Sequence, residues 1–296
     1  MHIHIEHATI YRYKRAVHFD RHRLVLRPRE GHDVRVERMH LRLEPEHRLV
    51  WTRDVFGNSV ALVDWLQPSD TLTIVNDVQI ARTLPFPFSA ADRWIAPLPP
   101  QYDVMEQAIT DVYRLAAFPD SEESVGRWLK ESLTLIPSDA ESTLESLCTL
   151  IHKTIAYQRR AEKGVQTPAR TLELRSGSCR DMATLMMDAC RLLGVAARFA
   201  SGYLHGSASL AGRAATHAWT EIYLPLLGWR GFDPTIGSPI SLNHIVTGVS
   251  NHPRGVMPVS GRFLGSDADF QSMNVTVRTE ELPIPNSDTS VGSRHS

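Results

Sequence analysis

The chain has 296 residues, of which 42% are hydrophobic and 22% charged, close to the globular average and apolar enough to fold without a partner. A single core stops growing near ~250–300 residues, so two domains are expected. Lys and Arg number 32 against 33 Asp and Glu, a net charge of -1, which offers no global field to draw nucleic acid or an anionic membrane and sets both aside as partners.

The first stretch, MHIHIEHATIYRYKRAV, alternates apolar and polar residues where a signal peptide needs an unbroken apolar run. No segment approaches the ~18 apolar residues of a membrane span. From Met1 to about Gln79 the period stays near two, with Ile3 and Ile5, Tyr11 and Tyr13, Leu24 and Leu26, Leu41 and Leu43, Val60 and Leu62, and Leu72 and Ile74 as successive apolar pairs. Short alternating strands separated by turn residues predict an antiparallel β-sandwich. The basic stretch from His18 to Arg29 reads as the wet face of a strand. Trp51 to Trp65 reads as a hairpin about Gly57-Asn58, with Asp54 and Phe56 anchoring its turn. His2 and His4 share a strand face but have no further ligands, so no metal site and no cofactor are expected.

Between Thr83 and Pro100 stand Pro85, Pro87, Pro97, Pro99 and Pro100, which cannot donate ladder hydrogen bonds and discourage helix. This predicts a boundary between a β-rich domain over 1–90 and a second, helix-containing domain over 91–282. The period then becomes helical over Val104–Phe118, Ser121–Leu133 and Ala140–Tyr157. In the last of these, Leu144, Leu147, Cys148 and Ile151 share one face, which makes Cys148 a core residue. The best-defined helix starts after Ser178, with Asp181 in the position of a capping-box acid, Met182, Leu185, Met186, Ala189 and Leu193 as its buried stripe, and Gly194 at its end. Cys190 lies beside that stripe and reads as structural. Val195–Leu204, His217–Leu224 and Trp229–Asp233 read as strands of one sheet. The chain beyond is loop-like until a strand at Met273–Val277, and 283–296 is expected to be a disordered tail.

Cys179 falls at the first helical position, where unsatisfied N–H groups and the helix dipole favour a thiolate. In THAWTEIYLP, His217 shares a strand face with Trp219, Glu221 and Tyr223, opposite Ala218, Ile222 and Leu224. A short hairpin through Pro225 and Gly228 returns the chain as WRGFDP, so antiparallel pairing can set Asp233 beside His217. A nucleophile, a base and a group that orients the base are then available. Three cysteines cannot all pair within one chain, and free thiols suit a reducing, cytoplasmic compartment.

GSCRDMATLMMDACRLLGVAARFASGYL, followed by THAWTEIYL and GWRGFDPT, resembles the core of the transglutaminase-like superfamily, in the bacterial branch with an added β-rich N-terminal region. YKRAVHFDRHRLVLRP and RDVFGNSVALVDW resemble that region, and YQRRAEKGVQTPARTLELRSGSC resembles the approach to the nucleophile. The resemblance implies an α+β chain: an N-terminal antiparallel β-sandwich followed by a papain-like core with helices packed on an antiparallel sheet. It also implies a triad of Cys179, His217 and Asp233. The expected activity is a cysteine protease or amidase acting on a peptide or protein substrate through an acyl-enzyme. Amine-dependent cross-linking and a silent peptide-binding module are the alternatives, and the oligomeric state is open. Gln166 is a candidate side-chain donor to the oxyanion, and Trp219 is expected to pack the site.

Overall fold

The computed structural model describes residues 1–83, 97–133, 139–160, 164–205 and 215–283. Most of the proline-rich stretch, including Pro85 and Pro87, and the expected tail after Pro283 lie outside these residues. The N-terminal part contains β1 (His2–Phe19), β2 (His22–Leu24), β3 (Val34–Glu44), β4 (His47–Arg53), β5 (Ser59–Trp65) and β6 (Ser69–Arg82). Helices α1 (Val104–Val112), α2 (Glu122–Ser132) and α3 (Ala140–Thr154) follow. Next come β7 (Ala156–Tyr157), α4 (Pro168–Leu174), β8 (Ser176–Gly177) and α5 (Cys179–Leu192). The chain continues with β9 (Ala197–Leu204), β10 (Ala215–Leu224), β11 (Gly228–Asp233), β12 (Ser238–Pro239), β13 (His244–Ser250), β14 (Val259–Ser260), β15 (Phe263–Leu264) and β16 (Phe270–Leu282).

Two antiparallel sheets form the expected sandwich. One has the order β15-β1-β6-β3, with β16 also paired to β1, and the other runs β14-β2-β5-β4. Their period-two apolar residues meet in a shared core that includes Tyr13, Phe19, Leu24, Leu43, Val63, Leu72 and Ile74. A third antiparallel sheet, β12-β11-β10-β9-β13, carries α5 on one face. There Met182, Leu185, Met186 and Ala189 pack against Phe199, Ala218, Ile222 and Phe232. The Thr220 hydroxyl donates to the Ala183 carbonyl at 2.8 Å and pins sheet to helix. Helices on one face of an antiparallel sheet, preceded by a sandwich, is the α+β architecture read from the sequence.

Four expectations change, the first being that the stretch after Asp233, expected to be loop-like, carries β12 to β15. Helix α1 stops at Val112 because the chain after it is bound to α5. The main-chain N–H groups of Ala117 and Phe118 donate to the Asp188 carboxylate at 3.0 and 3.1 Å, and the Leu115 carbonyl accepts from Arg191 at 2.7 Å. The expected strand at 273–277 is part of β16, which pairs along β1 from His2↔Leu282 to Tyr13↔Phe270. With β14 and β15 it returns residues 259–282 to the N-terminal sheets, away from the β9–β13 sheet of the 91–282 domain to which the expected boundary assigned them. The basic stretch 18–29 is not a wet face: His22 is buried, and Arg23 and Arg29 reach inward to Asp54 and to Asn58, at 2.7 Å each.

The two parts meet where β13 would expose an open edge. The main-chain N–H of Arg29 donates to the Val246 carbonyl at 2.8 Å. Asn58, fully buried at the hairpin turn, donates to the Val249 carbonyl at 2.8 Å and accepts from the Val249 N–H at 2.9 Å, replacing the missing neighbour strand. Phe56 of the same turn packs on Ala200, Trp219 and Val249. Asn58→Ala orphans both main-chain groups of Val249, and each buried unsatisfied group costs about 1–3 kcal/mol. Urea unfolding of this variant is expected to show a loss of about 2–4 kcal/mol with the slope unchanged.

Candidate active site

Helix α5 begins at Cys179 with a dense polar arrangement beneath its first turn. The Asp181 carboxylate, with its side chain fully buried, accepts the main-chain N–H and the hydroxyl of Ser178, each at 2.8 Å, and the main-chain N–H of Gln166 at 2.7 Å. Arg160 closes it with a two-pronged ion pair, Nε at 2.7 Å and Nη2 at 3.0 Å. Burial alone would raise this carboxyl, but these donors hold it below the usual carboxylate range. Asp181 therefore stays charged and ties Arg160 and Gln166 to the helix start, while Arg160 offsets a negative charge that would otherwise oppose a thiolate. Gly177 allows the close fit, since a Cβ there would lie 2.8 Å from the Asp181 Cβ. The parallel pairing of β7 with β8, Tyr157↔Gly177, fixes the approach to the cysteine.

The thiol of Cys179 is half-buried, while Cys148 and Cys190 are fully buried. Burial in apolar surroundings pushes the thiols of Cys148 and Cys190 well up. Strand β10 supplies His217. The register Thr220↔Phe232 leaves Asp233 one step further along β11, diagonal to His217 on the same face. His217 Nε2 lies 2.7 Å from Asp233 Oδ2, and the imidazole interacts electrostatically with the Cys179 sulfur. With Nε2 engaged, Nδ1 is the ring nitrogen left to face the sulfur. Burial disfavours charge on this ring, but the Cys179 sulfur and the Asp233 hydrogen bond outweigh it and push His217 up to about 10. Burial likewise opposes charge on Asp233, which is fully enclosed, yet hydrogen bonds from His217 and a second histidine, His244, hold it well below the usual range. The Thr235 N–H donates to its other oxygen at 2.9 Å.

A thiol at a helix start, an imidazole against it and an ionised carboxylate behind the imidazole can exchange protons at a reacting acyl carbon. Residues 3–81 match the family described as the bacterial transglutaminase-like N-terminal region, and residues 128–234 match the transglutaminase-like superfamily, a span that contains Cys179, His217 and Asp233. Residues 128–234 form a transglutaminase-like region, preceded by a bacterial transglutaminase-like N-terminal region. An uncharacterized protein of Mycobacterium tuberculosis is 28% identical to this transglutaminase-like chain over 284 residues, 87% of this chain and 86% of its own length. One from Mycobacterium leprae is 32% identical over 96 residues, 31% of this chain and 34% of its own. The crystal structure of a proposed cysteine protease from Cytophaga hutchinsonii superposes with a TM-score of 0.73 at 15% identity, covering 96% of this chain and 92% of that one, and so shares its fold.

The structure thus brings together Cys179, His217 and Asp233 of this transglutaminase-like chain. It does not free Gln166 for an oxyanion: its side-chain amide sits 3.5 Å from both the Ser176 carbonyl and the Asp181 carboxylate, beneath the helix start. Trp219 is fully buried and lies edge-on to His244 at 5.2 Å, the packing role expected of it. Sequence reasoning missed His244, Arg160 and the deeper role of Asp181. Arg160 is one cation among many in the sequence, and His244 carries no spacing that marks it. The ligand atoms of His217, Asp233 and His244 lie within 4.8 Å of one another, a set of two imidazoles and a carboxylate able to hold a divalent ion. Such an ion would have to displace the ring protons that account for the hydrogen bonds at 2.7 and 3.1 Å.

Two outcomes follow from the burial and the charge pairing. Iodoacetamide at neutral pH is expected to label Cys179 at least about tenfold faster than Cys148 or Cys190 in the folded chain, read by peptide mapping. The folded state also keeps the His217 proton up to about 10, whereas the unfolded chain releases it near the ordinary histidine value of 6.5. The folded state then binds more protons than the unfolded one between these values, so stability falls as pH rises through this window. Urea midpoints at several pH values should show this decline in the wild type and a flatter profile in His217→Gln.

Proposed function

We propose that this chain is a cysteine hydrolase that cleaves peptide or carboxamide bonds, with Cys179 as nucleophile, His217 as acid and base, and Asp233 as the group that orients and stabilises the imidazolium. The observation that carries the reading is the His217 bridge between the Cys179 sulfur and the ionised Asp233. In the proposed reaction the thiolate attacks the carbonyl carbon and forms a C–S bond, and the carbonyl oxygen takes up the negative charge. Helix N-termini leave main-chain N–H groups unused. Those of Ser178 and Asp181 are taken by Asp181 Oδ2 and the Ser178 carbonyl, which leaves those of Cys179 and Arg180 as oxyanion donors. The His217 imidazolium gives its proton to the leaving amine as the C–N bond breaks, and a thioester remains. Water then loses a proton to His217 and adds to the thioester, which releases the acid and restores the thiolate.

This reading favours water as acceptor, because no dedicated amine site stands out among the described residues. It also places the enzyme in a reducing, cytoplasmic setting, since catalysis needs Cys179 as a free thiolate. A panel of fluorogenic peptide amides, with a labelled primary amine present, tests it. Wild-type chain should release amine without incorporating label, and Cys179→Ala should be inactive. His217→Ala should lose nearly all turnover, and Asp233→Asn should lose about 10²–10⁴-fold with KM little changed. Label incorporation faster than hydrolysis would make the chain an amine-dependent transferase. Absence of any turnover together with an ordinary, slow Cys179 thiol would make it a silent peptide-binding module.

A further inference from the structure

His244 is the residue the proposed reaction leaves unexplained. It is almost fully buried, and its Nε2 lies 3.1 Å from the same oxygen, Asp233 Oδ2, that accepts from His217. The main-chain N–H of Ser241 donates to its Nδ1 at 3.1 Å. Nδ1 is therefore bare, the single ring proton sits on Nε2, and that proton is given to Asp233. With Thr235 on Oδ1 and two imidazoles on Oδ2, the carboxylate has no freedom to rotate Oδ2 away from His217.

The turn that presents His244 is closed by the His244 N–H on the Ser241 carbonyl at 3.1 Å. It is held from outside the catalytic sheet. Arg82, the last residue of β6 in the N-terminal sandwich, sends one guanidinium nitrogen, Nη1, to the carbonyls of both Leu242 and His244. Arg82 is itself fixed: its main-chain N–H donates to the Met1 carbonyl at 2.8 Å, its side chain is only 9% exposed, and Asp33 stands 3.8 Å away. An unbroken series of contacts runs from the N-terminal sheet through Arg82, the His244 carbonyl, the His244 ring and Asp233 to His217.

We propose that His244 is a positioning residue for Asp233 and that the β-rich N-terminal region holds it there through Arg82, which makes that region part of the active-site framework. The proposal rests on the reading of Asp233 as the group that orients His217. Outer hydrogen-bond partners of this kind are worth about 10–100-fold in activity when removed.

The test uses the full chain with ¹⁵N-labelled histidine, in wild type, His244→Leu, His244→Gln and Arg82→Ala, each checked for folding by urea unfolding. Gln is chosen because its amide nitrogen can replace Nε2–H as donor. In the proton spectrum, His217 and His244 should each show a ring N–H protected by Asp233. His244→Leu should lose one signal and speed solvent exchange of the His217 proton at least about tenfold, and His244→Gln should restore slow exchange. Arg82→Ala, which alters neither ring, should speed exchange of the His244 proton. Where turnover is measurable, His244→Leu should lower kcat about 10–100-fold with KM little changed. His244→Gln should recover most of this loss, and the pH profile of His244→Leu should differ from wild type through the altered hydrogen bonding of His217. A His217 proton and pH profile unchanged in His244→Leu would overturn the positioning role, and an unchanged His244 proton in Arg82→Ala would overturn the N-terminal link. If His244→Leu fails to fold, the Gln and Arg82 variants decide. Failure of the hydrolase reading appears separately, as a wild type that turns over no amide while both ring protons stay protected.

Discussion

A carboxylate removed entirely from water must be surrounded by donors, because the cost of stranding its charge exceeds the net gain of most folding interactions. Asp233 is such a group, and its donors come from three directions: the Thr235 N–H from its own turn, His217 from the adjacent strand, and His244 from the far side of the sheet. Each donor constrains a different part of the fold. The first fixes the turn after β11, the second fixes the register of β10 on β11, and the third demands that β13 begin where its histidine reaches across. A protein that satisfies this one carboxylate has already placed His217 against the start of α5.

A second buried carboxylate does comparable work on the other side of the thiol. Asp181 gathers Ser178, Gln166 and Arg160, so the loop before the cysteine and the first turn of α5 move as one unit. Its charge sits within the first helical turn, where it is favoured by the helix dipole but competes with a thiolate for the same positive end. Arg160 resolves the competition by neutralising Asp181 directly. Cys179 and His217 therefore lie between two fully hydrogen-bonded carboxylates, Asp181 beneath the helix start and Asp233 behind the imidazole, a frame that fixes both side chains.

The N-terminal sandwich meets this frame at the β13 edge of the third sheet. An open strand edge offers unpaired N–H and C=O groups to any passing chain. Here Arg29, Asn58 and Arg82 occupy the groups of β13, and the tail of the chain, β16, pairs back along β1 to complete the sandwich. The two parts are thus joined through main-chain hydrogen bonds that leave little room for sliding.

What the sequence determined by itself is local. Ser178, Asp181 and the apolar stripe after Cys179 mark a helix start, because capping and a 3.6-residue period act within a few residues. Alternation from His217 to Leu224 and the short hairpin to Asp233 mark two antiparallel strands, because pairing across a tight turn is set by near neighbours. The alternating strands of the first 80 residues were legible for the same reason. The tertiary structure alone decided what satisfies the buried charges. Arg160 meets Asp181 across 21 residues, and Arg82 meets the His244 carbonyl across 162. Strand β16 was legible only over Met273–Val277; its full run from Phe270 to Leu282, with mostly exposed side chains, follows the free edge of β1. No periodicity encodes such partners, since which donor reaches a buried carboxylate depends on the packing of whole layers rather than on the spacing of residues along the chain.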